Sequence, residues 1–237
     1  MANVSKIEWT ETTWNFATGC TKISAGCKNC YAERMAKRLK CMGLDKYKNC
    51  FELTVHENMI EEPLKWKKPK QVFVNSMSDT FHKDVPDEII FKVFETMNKA
   101  HWHTFQVLTK RSSRLLEMSP HLPWSKNIWM GVTVESSDYL YRINNLINSS
   151  AKVKFVSLEP LLGPLYKMDI NGIDWVIVGG ESGYGARDIM KEWVIDVKEK
   201  CQTLQTPFFF KQWGGANKKK AGSLLDGKEY KRFPVSA

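Results

Sequence analysis

Between residues 71 and 211 the chain repeats one pattern: a short, almost wholly apolar run, a polar or glycine-containing turn, then a stretch with helical spacing. The runs are 71–76 (QVFVNS), 103–109 (HTFQVLT), 127–134 (NIWMGVTV), 153–158 (VKFVSL), 175–178 (WVIV) and 207–211 (PFFFK). Runs dense in Val, Ile, Phe and Trp suit strands of a parallel sheet covered by helices. A seventh strand is expected near 14–17. In 87–99 the residues Ile89, Ile90, Val93, Phe94 and Met97 form one helical stripe. Further helices are expected over 111–118, 136–147 and 188–204. The last is crossed by Trp193, Val194, Val197, Cys201 and Leu204, which makes Cys201 a core residue rather than a ligand. Strand–helix units joined by right-handed crossovers build an α/β domain of mostly parallel strands, either a doubly wound sheet or a partial or complete (β/α) barrel.

A chain of 237 residues is near the upper size of one core, so a single domain spanning 1–237 is expected. Residues 42–51 are less regular, and the Gly/Lys-rich 214–230 reads as a flexible basic loop. No apolar stretch approaches the roughly 18 residues of a membrane helix, and the opening lacks a basic run followed by an apolar one. A cytoplasmic protein without membrane contact is expected. The formal charge is +9, with basic runs around 34–40, 65–70 and 218–220. Such a balance favours an anionic substrate or partner, nucleic acid among them. No helix-turn-helix, zinc-finger or RNA-binding signature accompanies it.

Three of the six cysteines fall within eleven positions, as Cys20-x6-Cys27-x2-Cys30. Clustered thiolates in a reducing compartment point to metal rather than disulfides. Two residues between Cys27 and Cys30 make a tight ligand turn, eased by Gly26, and Cys20 reaches back over a longer loop. Three thiolates on a [4Fe-4S] cluster leave one iron open for chemistry. Zinc is the main rival, with Cys41, Cys50 or His56 as a fourth ligand. Unliganded core cysteines are the third reading. The residues from Ala32 onward (AERMAKRLK) look helical, which places the cysteine loop at the C-terminal edge of the sheet.

Ligands of open α/β sheets and barrels gather beyond the C-terminal ends of the strands. That rule selects Ser76, Ser78 and Asp79, then Thr109 and Lys110, Thr133 and Glu135, Glu159, Glu181 and Ser182, and Lys211 and Gln212. Each has an alternative. Ser78 and Asp79 suit a turn before a helix. The glycines of Gly179-Gly180-Glu181-Ser182-Gly183 suit either a close approach to a nucleotide or a tight turn of the fold. Arg187 can bind an anion or pair with Glu181. Pro160 ends a strand, which leaves Glu159 facing the pocket and able to hold Lys110 or Lys211. Trp9 and Trp14 are expected to shield the cysteines or support base stacking, and Trp129, Trp175 and Trp193 to pack the core. Trp213 has either a substrate-covering or an anchoring role.

The opening KIEWTETTWNFATGCTKISAGCKNCYAERMAKRL, followed by NSMSDTFH, VLTKR, WMGVTVE, SLEPLLG, GGESG and FFKQWG, resembles a phage-associated family of three-cysteine proteins of unknown function related to radical S-adenosylmethionine (SAM) enzymes. The resemblance covers nearly the whole chain. It departs from the usual radical SAM loop in two ways: that loop spaces its cysteines three and two residues apart, and it carries an aromatic residue before the third cysteine, where this chain has Asn29 before Cys30 and Tyr31 after it. The resemblance implies a partial (β/α) barrel of the radical SAM type with a [4Fe-4S] cluster on Cys20, Cys27 and Cys30. It further implies SAM as cofactor and an external one-electron donor, with a 5′-deoxyadenosyl radical that abstracts hydrogen from the substrate. Candidate cofactor contacts are then Tyr31, Ser76, Ser78, Asp79, Thr133, Glu159, Gly180 and Glu181, with Ser78 or Asp79 receiving the cofactor's amino group. Lys110, Arg187 and Lys211 are the candidate substrate contacts. Two other classes remain open: a zinc-stabilised nucleic-acid-binding module, and a phage structural or interaction protein on an enzyme-like fold.

Overall fold

The computed structural model describes residue 5 and residues 7–234. Seven parallel strands lie side by side: β1 (Thr12–Trp14), β4 (Gln71–Val74), β5 (Thr104–Thr109), β6 (Ile128–Thr133), β7 (Val153–Leu158), β8 (Trp175–Gly179) and β9 (Phe208–Gln212). Between β1 and β4 in the chain come β2 (Ala17–Thr18) and β3 (Thr54–Val55), a separate antiparallel pair, and α1 (Tyr31–Cys41). The remaining crossovers carry α2 (Asp87–Lys99), α3 (Ser112–Met118), α4 (Tyr141–Ile147) and α5 (Lys191–Thr203), and a short α6 (Lys218–Ala221) follows β9.

Strand order equals chain order, so every crossover steps the same way across the sheet. Right-handed crossovers of one direction put all the helices on one face, and the sheet curls away from them into a half-barrel. The doubly wound alternative, which needs a reversal of strand order, is excluded by this topology. The outer face of the strands supplies residues such as Val74, Val107, Val132, Val156 and Val178, which pack with Val93 and Phe94 of α2, Leu115 of α3, Leu146 of α4 and Cys201 of α5. Burial pushes the Cys201 thiol up to about 12, as a core cysteine requires. The alternate residues form a second core on the concave side: Trp9, Phe73, Trp129, Phe155, Trp175, Ile177 and Phe209. Gly131 belongs to this face for a steric reason, because a Cβ there would stand 2.4 Å from the Phe155 ring.

Three expectations are corrected. The strand near 14–17 is split: Thr12–Trp14 joins the edge of the main sheet, and Ala17–Thr18 pairs with β3. Trp9 and Trp14 do not shield the cysteines. Trp9 packs edge-on against Phe73 and Trp175 on the concave face, and Trp14 is buried under the outer face with its Nε1 donating to the Met59 carbonyl at 2.7 Å. The 214–230 segment folds back on β9, where the Tyr230 carbonyl accepts from the Phe210 amide at 2.8 Å and Leu225 is fully buried. Trp213 anchors this segment through its Nε1, which donates to the Leu224 carbonyl. Among the described residues no helix is long and apolar enough to cross a membrane.

Candidate functional site

The cysteine loop, residues 20–30, lies across the C-terminal ends of the strands and is tied to several of them. At its start the Gly19 amide donates to the Met77 carbonyl and Ser78 Oγ donates to the Gly19 carbonyl at 2.7 Å. Gly19 has φ +86°, and a Cβ there would stand 2.1 Å from the Glu52 carbonyl oxygen, so no other residue fits. Thr21 Oγ1 accepts from Arg111 Nη2 at 2.9 Å and contacts His82 Nε2 at the same distance. Arg111 Nη1 also reaches Cys20 Sγ at 3.5 Å.

Asp79 organises this corner. Its Oδ1 accepts from the Phe81 amide and from Thr109 Oγ1, and its Oδ2 accepts from the Lys110 amide and from Arg111 Nη1 at 3.0 Å. The carboxylate is committed in all four directions, an Asx turn combined with an ion pair, which leaves no oxygen for a cofactor amine. It acts by aiming Arg111.

Mid-loop, Ser24 Oγ donates to Glu135 Oε1 at 2.5 Å, and a Cβ on Gly26 would meet the same oxygen at 2.4 Å. Gly26 therefore allows the loop to settle directly onto Glu135, just beyond β6. Glu135 is fully buried and paired with Arg142 Nη1 at 2.9 Å, and Arg142, itself 1% exposed, also donates to the Thr133 carbonyl and lies over the Tyr139 ring. Lys110 Nζ approaches Glu135 at 3.7 Å. Tyr139 completes the latch by accepting from the Ala25 amide.

At the loop's end Asn29 Nδ2 donates to Glu181 Oε2 at 2.9 Å, and Tyr31 OH donates to the Ser76 carbonyl at 2.5 Å. Glu181 is gripped by Arg187, with Nε to Oε2 at 2.9 Å and Nη2 to Oε1 at 2.5 Å. Arg187 Nη2 also donates to the Ala25 carbonyl. Burial alone would raise the Glu181 pKa, but the Arg187 and Asn29 hydrogen bonds outweigh it and hold the carboxyl at about 2. Arg187 and Glu181, expected to serve substrate and cofactor, are spent on each other and on the loop.

The inner wall beside the loop holds the remaining charges. Glu159 and Lys211 pair at 2.9 Å across β8, and Ser157 Oγ donates to Glu159. Gly179 lies between them; a Cβ there would stand 2.6 Å from Glu159 Oε1. Gly180 has a different reason, since its Cβ would collide with the Trp213 carbonyl at 2.0 Å, so that glycine serves the close approach of β8 and β9 rather than an open nucleotide cradle. A cleft of ≈ 1030 Å³ lies at the opposite, N-terminal end of the strands, against Trp124, Asp174 and Arg232, and none of the candidate residues borders it.

The three thiols are free and half-buried. Burial and the Asp79 charge push Cys20 up to about 11 against the pull of Arg111. Cys27 is also raised by burial, but a backbone hydrogen bond from Ile23, the Lys110 charge and the Ser24 hydroxyl bring it below its ordinary value. Among the described residues no three His, Cys, Asp or Glu side chains are close enough to hold a metal, so the thiols share a loop without being gathered around one centre. Cys41 is exposed and His56 is engaged with Thr18 Oγ1, so neither completes a zinc set here. Sequence reasoning passed over Arg111, Arg142, His82, Ser24 and the loop-facing role of Asn29. Glu135, one residue beyond the apolar run of β6, was the available signal for the latch.

A curled half-barrel of seven parallel strands with helices on its convex side is the fold of radical SAM enzymes. Spore photoproduct lyase complexed with dinucleoside spore photoproduct matches it with a TM-score of 0.53 and 13% identity, over 84% of this chain and 63% of that one. A mutant of the same lyase with bound AdoMet and the dinucleoside gives 0.50 over the same shares, also at 13% identity. The chain thus spans just under two thirds of the lyase's length. It belongs to the family described as "Protein of unknown function (DUF5131)", whose model matches residues 4–234. No curated protein matches the chain.

Proposed function

We propose that this chain is a radical SAM enzyme in which Cys20, Cys27 and Cys30 hold three irons of a [4Fe-4S] cluster and the open iron receives SAM. The observation that carries this reading is the placement of the cysteine loop: it is fastened to the C-terminal ends of a radical SAM half-barrel by residues from β4, β5, β6 and β8. The donor set fits the group, since three free thiols on one loop leave a fourth coordination site for an exogenous ligand. When bound, cluster and SAM together supply reductive cleavage of the sulfonium bond and a radical able to take hydrogen from a substrate.

The chain's own residues position this chemistry. Arg111 and Lys110 direct positive charge at Cys20 and Cys27, which stabilises the thiolates that ligation requires. Glu135 and Glu181 hold the middle and the end of the loop, and Ser78 fixes its entry. Lys211, with Glu159, offers charge of both signs on the inner wall beside the loop, where the polar parts of a cofactor and an anionic substrate would lie. Tyr31, Ser76, Thr133 and Gly180 shape the rim. A nucleotide or nucleic-acid substrate suits the net charge of +9, and the lyase that shares the fold binds a dinucleoside. The free thiols suit a reducing, cytoplasmic setting.

The test is anaerobic reconstitution with iron and sulfide, followed by reduction in the presence of SAM. The expected result is a brown protein with close to the four irons of one cluster, which releases 5′-deoxyadenosine, and a Cys27→Ala variant that does neither. A colourless protein holding one zinc and binding nucleic acid with steep salt dependence would replace this reading with the zinc module.

A further inference from the structure

The concave site uses one side of α1; the other side is open and has a composition unlike the rest of the surface. Ala32 and Ala36 bury the helix against the body, whereas Tyr31, Met35 and Met42 stand 52%, 40% and 62% exposed. Residues 31, 35, 38 and 42 fall at helical spacing, so the two methionines, the tyrosine and Arg38 line one stripe. Leu44 extends it past the end of the helix and is also exposed. From Cys20 to Leu44 the chain carries six basic side chains, Lys22, Lys28, Arg34, Lys37, Arg38 and Lys40, against the carboxylate of Glu33. Lys22 and Lys37 spend their charge on Glu33, at 2.8 and 3.0 Å. Arg38 and Lys40 have no such partner among the ion pairs of the described residues.

We infer that this stripe is the docking face for the external one-electron donor, and that the donor is an acidic flavodoxin-type protein with an apolar surround to its flavin. The inference rests on the proposed function and names the partner that feeds it. Two observations point to a protein partner. Exposed methionines and an aromatic grouped on one helix face are the mark of a surface that repacks against partners, whereas phosphates would be met by charge alone. The second is position: Cys30 caps α1, and Met35 lies five residues, about 7.5 Å of helix axis, from it. An electron delivered on this face enters beside a cluster ligand. Electron-transfer encounters are small and weak, and opposite charge steers them. In the step itself one electron leaves the flavin hydroquinone, giving its semiquinone, and the cluster is reduced by one.

The test compares two reductants on the anaerobically reconstituted protein: a negatively charged flavodoxin in its hydroquinone form, and photoreduced deazaflavin as a small donor that needs no docking face. The variants are Arg38→Glu and Met35→Asp, both at exposed positions where folding is undisturbed, checked by circular dichroism and iron content. The expected result is a tenfold or larger fall in the second-order rate of cluster reduction by flavodoxin at low salt. Deazaflavin should reduce wild type and variants to the same extent, and added salt should slow the wild type toward the variants. Equal flavodoxin rates for wild type and variants would overturn the docking face, as would a DNA oligonucleotide whose binding is abolished by the same substitutions while flavodoxin reduction persists. If deazaflavin finds no reducible cluster in the wild type, the proposed function fails and this inference with it.

Discussion

The concave wall of the half-barrel has two ends made by the same strands in opposite chemistry. Toward the N-terminal ends β6, β7, β8 and β9 present Trp129, Phe155, Trp175 and Phe209, a set of rings in mutual edge and tilted contact. Two to six residues further along the same strands, or just past them, the inward positions become Glu135, Glu159, Glu181 and Lys211. The aromatic end is held by burial, which is non-directional and large. The charged end is held by pairs that cross between segments far apart in the chain. Shape and chemistry are therefore divided along each strand: one end fixes the curvature, and the other fixes where the cysteine loop lies.

The division is broken most severely from the aromatic end. Trp175 is fully buried and touches Trp9, Trp129, Phe155, Phe209 and Phe233. Trp175→Ala is expected to cost about 3–5 kcal/mol, the usual range for removing a large buried aromatic. Equilibrium urea unfolding measures it. Lys211→Met, at the other end of the neighbouring strand, is expected to stay within about 1 kcal/mol because its side chain is partly solvated. Similar costs at the two ends would abolish the distinction.

A narrower break lies in the Glu135–Arg142 pair, the one place where the charged end is as dry as the aromatic end. Arg142→Met leaves a buried carboxylate with only Ser24 and a distant Lys110, and is expected to cost about 3 kcal/mol. The double variant Arg142→Met with Glu135→Gln should recover part of that loss by removing the stranded charge. It should not recover cluster loading, because Ser24 then lacks its strong acceptor. Iron content and unfolding free energy measured on the same samples separate the two effects.

The aromatic end was largely legible in the sequence, and the charged end only in part. Apolar runs mark strands because a sheet covered on both faces demands them, and β4 to β9 fall where those runs lie. Whether the sheet reverses direction is not written in hydrophobic period, so half-barrel and doubly wound sheet were indistinguishable before the strand order was known. The strand-end rule found Glu159 and Lys211, and it found Glu181 and Arg187, which hold the loop instead of lining an empty pocket. It did not find the loop's own partners. Ser24 meets Glu135 across 111 residues and Asn29 meets Glu181 across 152, separations at which no local pattern operates. Arg142 was hidden for a different reason: an arginine in an amphipathic helix is ordinarily on the wet face.

The mildest test concerns acid. Glu181 has an ordinary pKa of 4.5 and is held at about 2 in the folded protein, where burial is outweighed by Arg187 and Asn29. A depressed carboxyl adds stability that is complete above the unfolded value and is lost as pH falls through the folded one. The loss should therefore run from about pH 4.5 down to about pH 2. The full shift sets an upper bound near 3 kcal/mol, and about 2 kcal/mol is expected, since Arg187 is partly solvated. Other carboxyls titrate in the same window, so the informative quantity is the difference between wild type and Glu181→Gln. That difference should be nearly constant above pH 5 and close below it. Because Glu181 fastens Asn29, protease cleavage within residues 20–30 should quicken over the same interval in the wild type and be quick at every pH in the variant. A flat difference in stability, with cleavage that ignores pH, would mean that the end of the loop is held by something other than Glu181, and that the charged end of the wall is less of a fastening than its geometry indicates.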